Sequence, residues 1–169
     1  MNFDSFRTVA EVSIALTGFL GIIIVLQHKD RSFSRLQLVG ILQTTLGAAL
    51  FSFVPDFLGH FLSAEAAWRL ACGCFGVYHL YLIVSHQAKQ RGIRKNTPFQ
   101  LAVTILSFPV VGLKIAVGLG FLLAYAYDIY YLGLLWCLGI ASYFFVVILL
   151  DDPEGKKGSD PNNGSTDFK

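Results

Sequence analysis

The chain has 169 residues, of which 54% are hydrophobic and 14% are charged, and its mean hydropathy is +0.60. Soluble domains carry about 25% charged residues, so this composition argues against an ordinary soluble domain and predicts a membrane protein. The net charge of +2 gives no argument for nucleic acid as a partner. Cys72, Cys74 and Cys137 all lie in apolar segments, which favours packing roles over a disulfide framework.

Five apolar segments are each long enough to cross a bilayer as a helix, which takes roughly 20 residues. The predicted spans are residues 9–27, 36–58, 66–87, 99–126 and 129–150. The fold class is therefore all-α, a polytopic membrane protein in which residues 1–150 form a bundle of five transmembrane helices. Every span except the fourth has small residues at four-residue intervals, such as Ser13, Thr17 and Gly21, which permit close helix packing in lipid.

The charge of the connecting segments predicts the orientation. Residues 28–35 carry three Lys or Arg residues against Asp30, and residues 88–98 carry basic residues and no acidic one. With five helices both segments lie on the same side, and the positive-inside rule places that side in the cytoplasm. The sequence therefore predicts a plasma (inner) membrane protein with its N-terminus outside and its C-terminus cytoplasmic. Residues 151–169 are rich in Gly, Pro, Asn and charge, which predicts a disordered cytoplasmic tail.

The most apolar segment, residues 99–126, contains a lysine, Lys114. A charged side chain costs at least about 2.5 kcal/mol at the bilayer centre, so this lysine requires an explanation. At about 1.5 Å per residue it lies about 22 Å along its helix, in the outer half of the membrane. Four other charged residues are predicted on that side, namely Glu11, Asp56, Arg69 and Asp128. Lys114 is therefore expected either to pair with a carboxylate or to line an outward-opening polar cavity that binds an ion, proton or anionic solute.

One face of the third span combines polar and small residues. Its members recur every three or four positions and are Arg69, Cys72, Gly76, His79, Ile83 and His86. His79 is a candidate site residue, although packing with a hydrogen bond to another helix explains it more simply. His79 and His86 lie about 10.5 Å apart along the axis, too far to share one metal ion, so neither a metal nor another cofactor is predicted.

Aromatic residues cluster around the predicted outer turn between the fourth and fifth spans. They are Tyr125, Tyr127, Tyr130, Tyr131 and Trp136. Tyr and Trp are enriched at membrane–water interfaces, so this group is typical of an interfacial aromatic belt.

The functional hypotheses follow from these features. No nucleophile elbow, HExxH motif or phosphate-binding glycine loop is present, which disfavours an enzyme. The leading hypothesis is a structural or accessory subunit whose partners are the lipid bilayer and a second copy or another membrane protein. The alternative is permeation or transport of an ion, proton or small solute at an outward-facing polar site around Lys114. The candidate site residues are Lys114, Asp56, Glu11, Arg69, Asp128 and His79.

Overall fold

The computed structural model describes residues 4–26, 35–90 and 98–150. Over these residues the fold is all-helical, without a strand. The long helices are α1 (Asp4–Leu26), α2 (Arg35–Gly59), α3 (Ala64–Gln90), α4 (Pro98–Gly118) and α5 (Ala126–Leu150), and a short 3₁₀ helix covers Leu123–Tyr125. All five long helices contain a segment long and apolar enough to cross a membrane, which confirms the predicted helical class. The predicted disordered tail and most of the two basic segments lie outside the described residues.

Successive helices are antiparallel, as interhelical hydrogen bonds show. The Thr17 hydroxyl of α1 donates to the Thr45 hydroxyl of α2 at 2.9 Å. Between α3 and α4, Gln87 Nε2 donates to Thr104 Oγ1 at 2.8 Å. The helix α5 contacts each of the other four long helices.

The two ends of the bundle are distinguished by their connections. At the basic end, residues 27–34 and 91–97 join α1 to α2 and α3 to α4, and the sequence of these connections is rich in Lys and Arg. At the turn end, residues 60–63 and 119–125 join α2 to α3 and α4 to α5. The basic end is the predicted cytoplasmic side, and the turn end is the predicted outer side.

Most of the tightly packed core lies towards the turn end. Phe6, Trp68 and Tyr130 form edge and tilted ring contacts there, with centroids 5.8–6.3 Å apart. A smaller cluster of Leu20, Ile41 and Ala141 lies towards the basic end. Aromatic packing therefore closes the turn end more completely than the aliphatic cluster fills the basic end.

Tyr130 belongs to this core, because its side chain is 0% exposed. Its hydroxyl donates to the carbonyl oxygen of Phe51 at 2.6 Å. In an α-helix that carbonyl would accept from the residue four positions later, but this residue is Pro55, which has no N–H. Tyr130 thus supplies the hydrogen bond that the proline removes from α2. The interfacial-belt prediction is wrong for Tyr130, whereas Tyr125 is 60% exposed.

The fourth helix ends earlier than the sequence pattern indicates. The predicted span continued to residue 126, with a turn at 127–128, but α4 ends at Gly118. Gly120 has a φ of +96°, its N–H donates to the Val117 carbonyl, and the Phe121 N–H donates to the Ala116 carbonyl, both at 2.9 Å. This pair of bonds around a left-handed glycine is a Schellman helix ending. Apolar residues continue beyond this ending, so hydropathy alone does not locate it.

Candidate functional site

Lys114 lies inside the bundle and is 0% exposed. Its Nζ is 3.0 Å from His79 Nδ1 and 3.4 Å from the centroid of the Phe75 ring. We assign Nζ as the donor and Nδ1 as the acceptor, which places the imidazole proton on Nε2. The two intramembrane candidates of the sequence, Lys114 and His79, therefore form one pair, in which the ring face of Phe75 gives the amine a second favourable contact.

Glycines on the neighbouring helices leave space for the lysine. A Cβ on Gly133 of α5 would lie 2.6 Å from Lys114 Nζ, which is closer than atoms pack. A Cβ on Gly76 of α3 would lie 3.3 Å from Lys114 Cβ. Gly133 therefore leaves space for the end of the lysine side chain, and Gly76 lets α4 approach α3 closely at Lys114 and Ile115.

The structure does not bring the predicted charged residues to Lys114. Glu11 pairs with Arg7 at 3.1 Å, and Arg69 pairs with Glu65 at 2.9 Å, in both cases one turn apart on an exposed helix face. Asp56 and Asp128 are also exposed. Across residues 4–26, 35–90 and 98–150, no carboxylate lies within salt-bridge distance of Lys114.

The direction of the lysine side chain explains why the expected pairing does not form. Side chains on a helix tilt towards its N-terminus. Lys114 lies one turn from the C-terminal end of α4, so its side chain extends away from the turn end, where Glu11, Asp56 and Asp128 lie. The prediction grouped Lys114 with these carboxylates by their depth along the helices. It did not consider the direction in which the lysine side chain extends.

A cavity of about 130 Å³ lies between α2, α3, α4 and α5, towards the basic end. Holding one water takes roughly 10–15 Å³ by this measure, so the cavity has room for several waters or a small solute. Its polar lining residues are Gln43, Thr44, His79, Ser85, His86, Gln87, Thr104 and Ser107. No Asp, Glu, Lys or Arg is among the described lining residues. Of the six candidate site residues, His79 lines this cavity, which lies towards the basic end of the bundle.

His79 connects the cavity with the buried lysine. It lines the cavity, and its Nδ1 is occupied by Lys114, so Nε2 is the ring nitrogen that remains for a solute. The hydroxyl of Ser107, another lining residue, donates to the Val103 carbonyl and accepts from the indole N–H of Trp136 at 2.9 Å. Hydrogen bonds therefore fix the Ser107 hydroxyl in the cavity lining, and the imidazole of His79 is hydrogen-bonded to a buried amine.

Sequence reasoning identified only part of this lining. The three- and four-residue spacing on the third span placed His79, Ile83 and His86 on one face, and all three line the cavity. It missed Thr104 and Ser107, which lie three residues apart on α4 and face the same space. Their spacing within an otherwise apolar segment was the available signal, because hydroxyls at such positions share one helix face.

Comparison with protein-family models, curated proteins and solved structures finds no match to this chain. Among the described residues, no group of three or more His, Cys, Asp or Glu side chains has the arrangement of a metal site. The functional argument therefore depends on the cavity and on the Lys114–His79 pair.

Proposed function

We propose that this protein is an integral membrane protein that binds a small solute or ion in the cavity between α2, α3, α4 and α5 and moves it across the bilayer. The observation that carries the proposal is the position of His79, which lines the cavity and accepts a hydrogen bond from the fully buried Lys114. Ionisable residues within membrane helices are costly and commonly mark substrate or ion pathways.

The polarity of the cavity supports a hydrophilic occupant. Eight of the seventeen lining residues carry polar side chains, although the cavity lies inside a bundle of apolar helices. Several of these side chains are held in place by hydrogen bonds within the protein, as Gln87 is by Thr104 and Ser107 by the Val103 carbonyl. Three helices, α2, α3 and α4, place polar side chains around one space, an arrangement typical of solute sites in helical bundles.

Transport requires the cavity to be reached alternately from both sides. It lies towards the basic end, while the aromatic cluster around Phe6, Trp68 and Tyr130 fills the turn end. We interpret this arrangement as the state that is closed to the outside. Exchange with the other side would require α5 to shift against α3 and α4, because α5 contributes to both the aromatic core and the cavity wall.

The orientation is part of the same proposal. With the basic end in the cytoplasm of a plasma membrane, the N-terminus lies outside, the C-terminus is cytoplasmic and the cavity lies on the cytoplasmic side of the bundle.

The function is tested by solute entry into liposomes that contain the purified protein. Light scattering after rapid mixing follows swelling in acetate, nitrate, glycerol or ammonium solutions, with valinomycin and potassium as the counter-ion pathway for the anions. We expect at least one solute to enter faster than in protein-free liposomes, and K114M to lose this increase. The matched control is R69Q, which removes an exposed cation of α3 near the turn end. Entry rates that equal those of protein-free liposomes for every solute, with folded protein present, would contradict the proposal.

A second candidate, an accessory subunit, is favoured by glycines on the outer surface of the bundle. Gly18 and Gly21 of α1, Gly112 of α4 and Gly139 of α5 have no atoms of other helices close to them. Glycine surfaces of this kind allow another transmembrane helix to approach closely. Native mass spectrometry from membranes tests this candidate, which predicts a homo-oligomer or a copurifying membrane protein. Monomers without a partner would contradict it.

A further inference from the structure

We infer that the solute bound in the cavity is a small anion, such as a monocarboxylate or an inorganic monoanion. This inference depends on the proposed function, because it specifies the charge of the solute at the same site. Three features favour an anion: the electrostatic surroundings of Lys114, the remaining donor of His79 and the charge of the cavity surroundings.

The protein itself supplies Lys114 with no negative charge in the described part of the chain. Its two close partners are a neutral imidazole and a phenyl ring, at 3.0 and 3.4 Å. Both described salt bridges lie on exposed helix faces elsewhere. A buried ammonium group needs compensation, and buried charges in proteins are usually paired. An anion in the adjacent cavity provides that compensation without a protein carboxylate.

His79 is the group through which the anion and the lysine interact. Lys114 donates to Nδ1, so Nε2 carries the proton and acts as a donor towards a cavity solute. A cationic amine on Nδ1 withdraws electron density from the ring and strengthens the Nε2–H donor. The chain of hydrogen bonds therefore runs from Lys114 through the imidazole to the anion. Lys114 acts as a positioning and charge-compensating residue, and His79 contacts the solute.

The surroundings of the cavity favour the same sign of charge. The described lining contains no carboxylate that would repel an anion. The connections at this end of the bundle have in their sequence Lys29, Arg31, Arg91, Arg94 and Lys95. Positive charge near an entrance raises the local concentration of anions and their rate of association. A small anion therefore agrees with the uncharged lining of the cavity and with the basic sequence of the connections at this end of the bundle.

The protein contains a native reporter of this site. Trp136 donates its indole N–H to Ser107, a lining residue, whereas Trp68 packs in the aromatic core of the turn end. Because the chain has two tryptophans, W68F leaves Trp136 as its sole indole fluorophore. If W68F fails to fold, the wild-type fluorescence change is measured instead, with Trp68 as a constant background.

The experiment titrates the protein in nanodiscs with sodium acetate, sodium nitrate and the neutral isostere acetamide at constant ionic strength. We expect a saturable change in Trp136 fluorescence with acetate or nitrate and none with acetamide. K114M should weaken the apparent affinity for the anion at least about tenfold, because it removes the buried positive charge that compensates the bound anion. R69Q serves as the control for general electrostatic effects and should leave the affinity unchanged.

Each other outcome overturns the inference. An equal response to acetate and acetamide would show a site for neutral solutes, leaving the proposed function intact. An anion response that K114M retains would show that Lys114 does not compensate the bound charge. No response to either anion would also exclude a small anion, and solute entry into liposomes would then decide the proposed function separately.

Discussion

At the scale of single residues, the site consists of a long cationic side chain and the glycines that leave space for it. The end of the Lys114 side chain occupies the space that a side chain on Gly133 would fill, and Gly76 lets α4 lie close to α3 at this position. The site therefore requires glycine at positions next to the lysine as well as polar side chains around the cavity.

The substitution G133A tests this arrangement. The new methyl group would overlap the end of Lys114, so either the lysine or α5 must move. We expect a loss of about 1–3 kcal/mol in unfolding free energy, the usual range for overpacking. The matched control is G139A on the same helix, where no atoms lie near a Cβ and we expect no loss. Reversible unfolding in mixed detergent micelles measures both variants.

The double variant G133A/K114A gives the coupling between the two positions. Truncating the lysine removes the overlap, so G133A should cost less in the K114A background than in the wild type. Equal costs in the two backgrounds would show that Lys114 is not the group that Gly133 accommodates.

Tyr130 provides a second test at this scale. In Y130F the Phe51 carbonyl loses the donor that replaces the missing N–H of Pro55. We expect a loss of about 1–3 kcal/mol, the cost of leaving a buried polar group without a partner. Y125F, at a position that is 60% exposed, should cost close to nothing in the same unfolding assay. A Y130F variant as stable as Y125F would contradict this role.

The individual site residues were more predictable than their pairing. Lys114 is conspicuous because it interrupts an apolar segment, and His79 lies on the periodic face of α3. Their contact depends on the tilt of the lysine towards the N-terminus of α4 and on the register of α3 against α4, neither of which is encoded by periodicity within one segment. The depth of Lys114 therefore predicted carboxylate partners, which the lysine side chain does not approach in the structure.

At the scale of elements, α3 and α4 cross at two glycines, Gly73 and Gly118, which differ in the space available for a side chain. A Cβ on Gly118 would lie 2.8 Å from the Cα of Gly73, whereas a Cβ on Gly73 would lie 3.8 Å from the Cα of Gly118. We expect G118A to destabilise the protein by about 1–3 kcal/mol, because backbone atoms must separate. G73A makes an ordinary contact and should be tolerated. Unfolding free energies that are equal for G118A and G73A would contradict this crossing geometry.

The long helices were predictable as elements because hydropathy is summed over many residues. The ends of these helices were less predictable. The end of α4 depends on the φ of Gly120 and on two hydrogen bonds, while the residues that follow are as apolar as the helix itself. The glycines at 118 and 120 were visible in the sequence, and a C-terminal cap is the interpretation that locates the turn correctly.

At the scale of the whole molecule, the interior of the bundle is filled differently towards its two ends. The aromatic core fills the turn end, and the polar lining faces the space towards the basic end. The charge of the connecting segments predicts that this second end faces the cytoplasm. The fold class followed from composition and hydropathy, but the side of the bundle on which the cavity lies required the packing of four helices.

Cysteine accessibility tests most directly whether this cavity admits solute inside the membrane. Thr44 lines the cavity about 14 Å from the start of α2. Leu46 lies on another side of the same helix, exposed to the predicted lipid. In a C74A background, which removes the exposed native thiol, T44C and L46C have nearly the same depth but different surroundings.

The reagent is a hydrophilic, membrane-impermeant methanethiosulfonate applied to oriented vesicles from one side at a time. The proposed site predicts rapid labelling of T44C from the cytoplasmic side, slow labelling from the outer side and little labelling of L46C from either. Equal labelling of T44C and L46C, or labelling of T44C only from the outer side, would contradict a solute site that opens at the basic end.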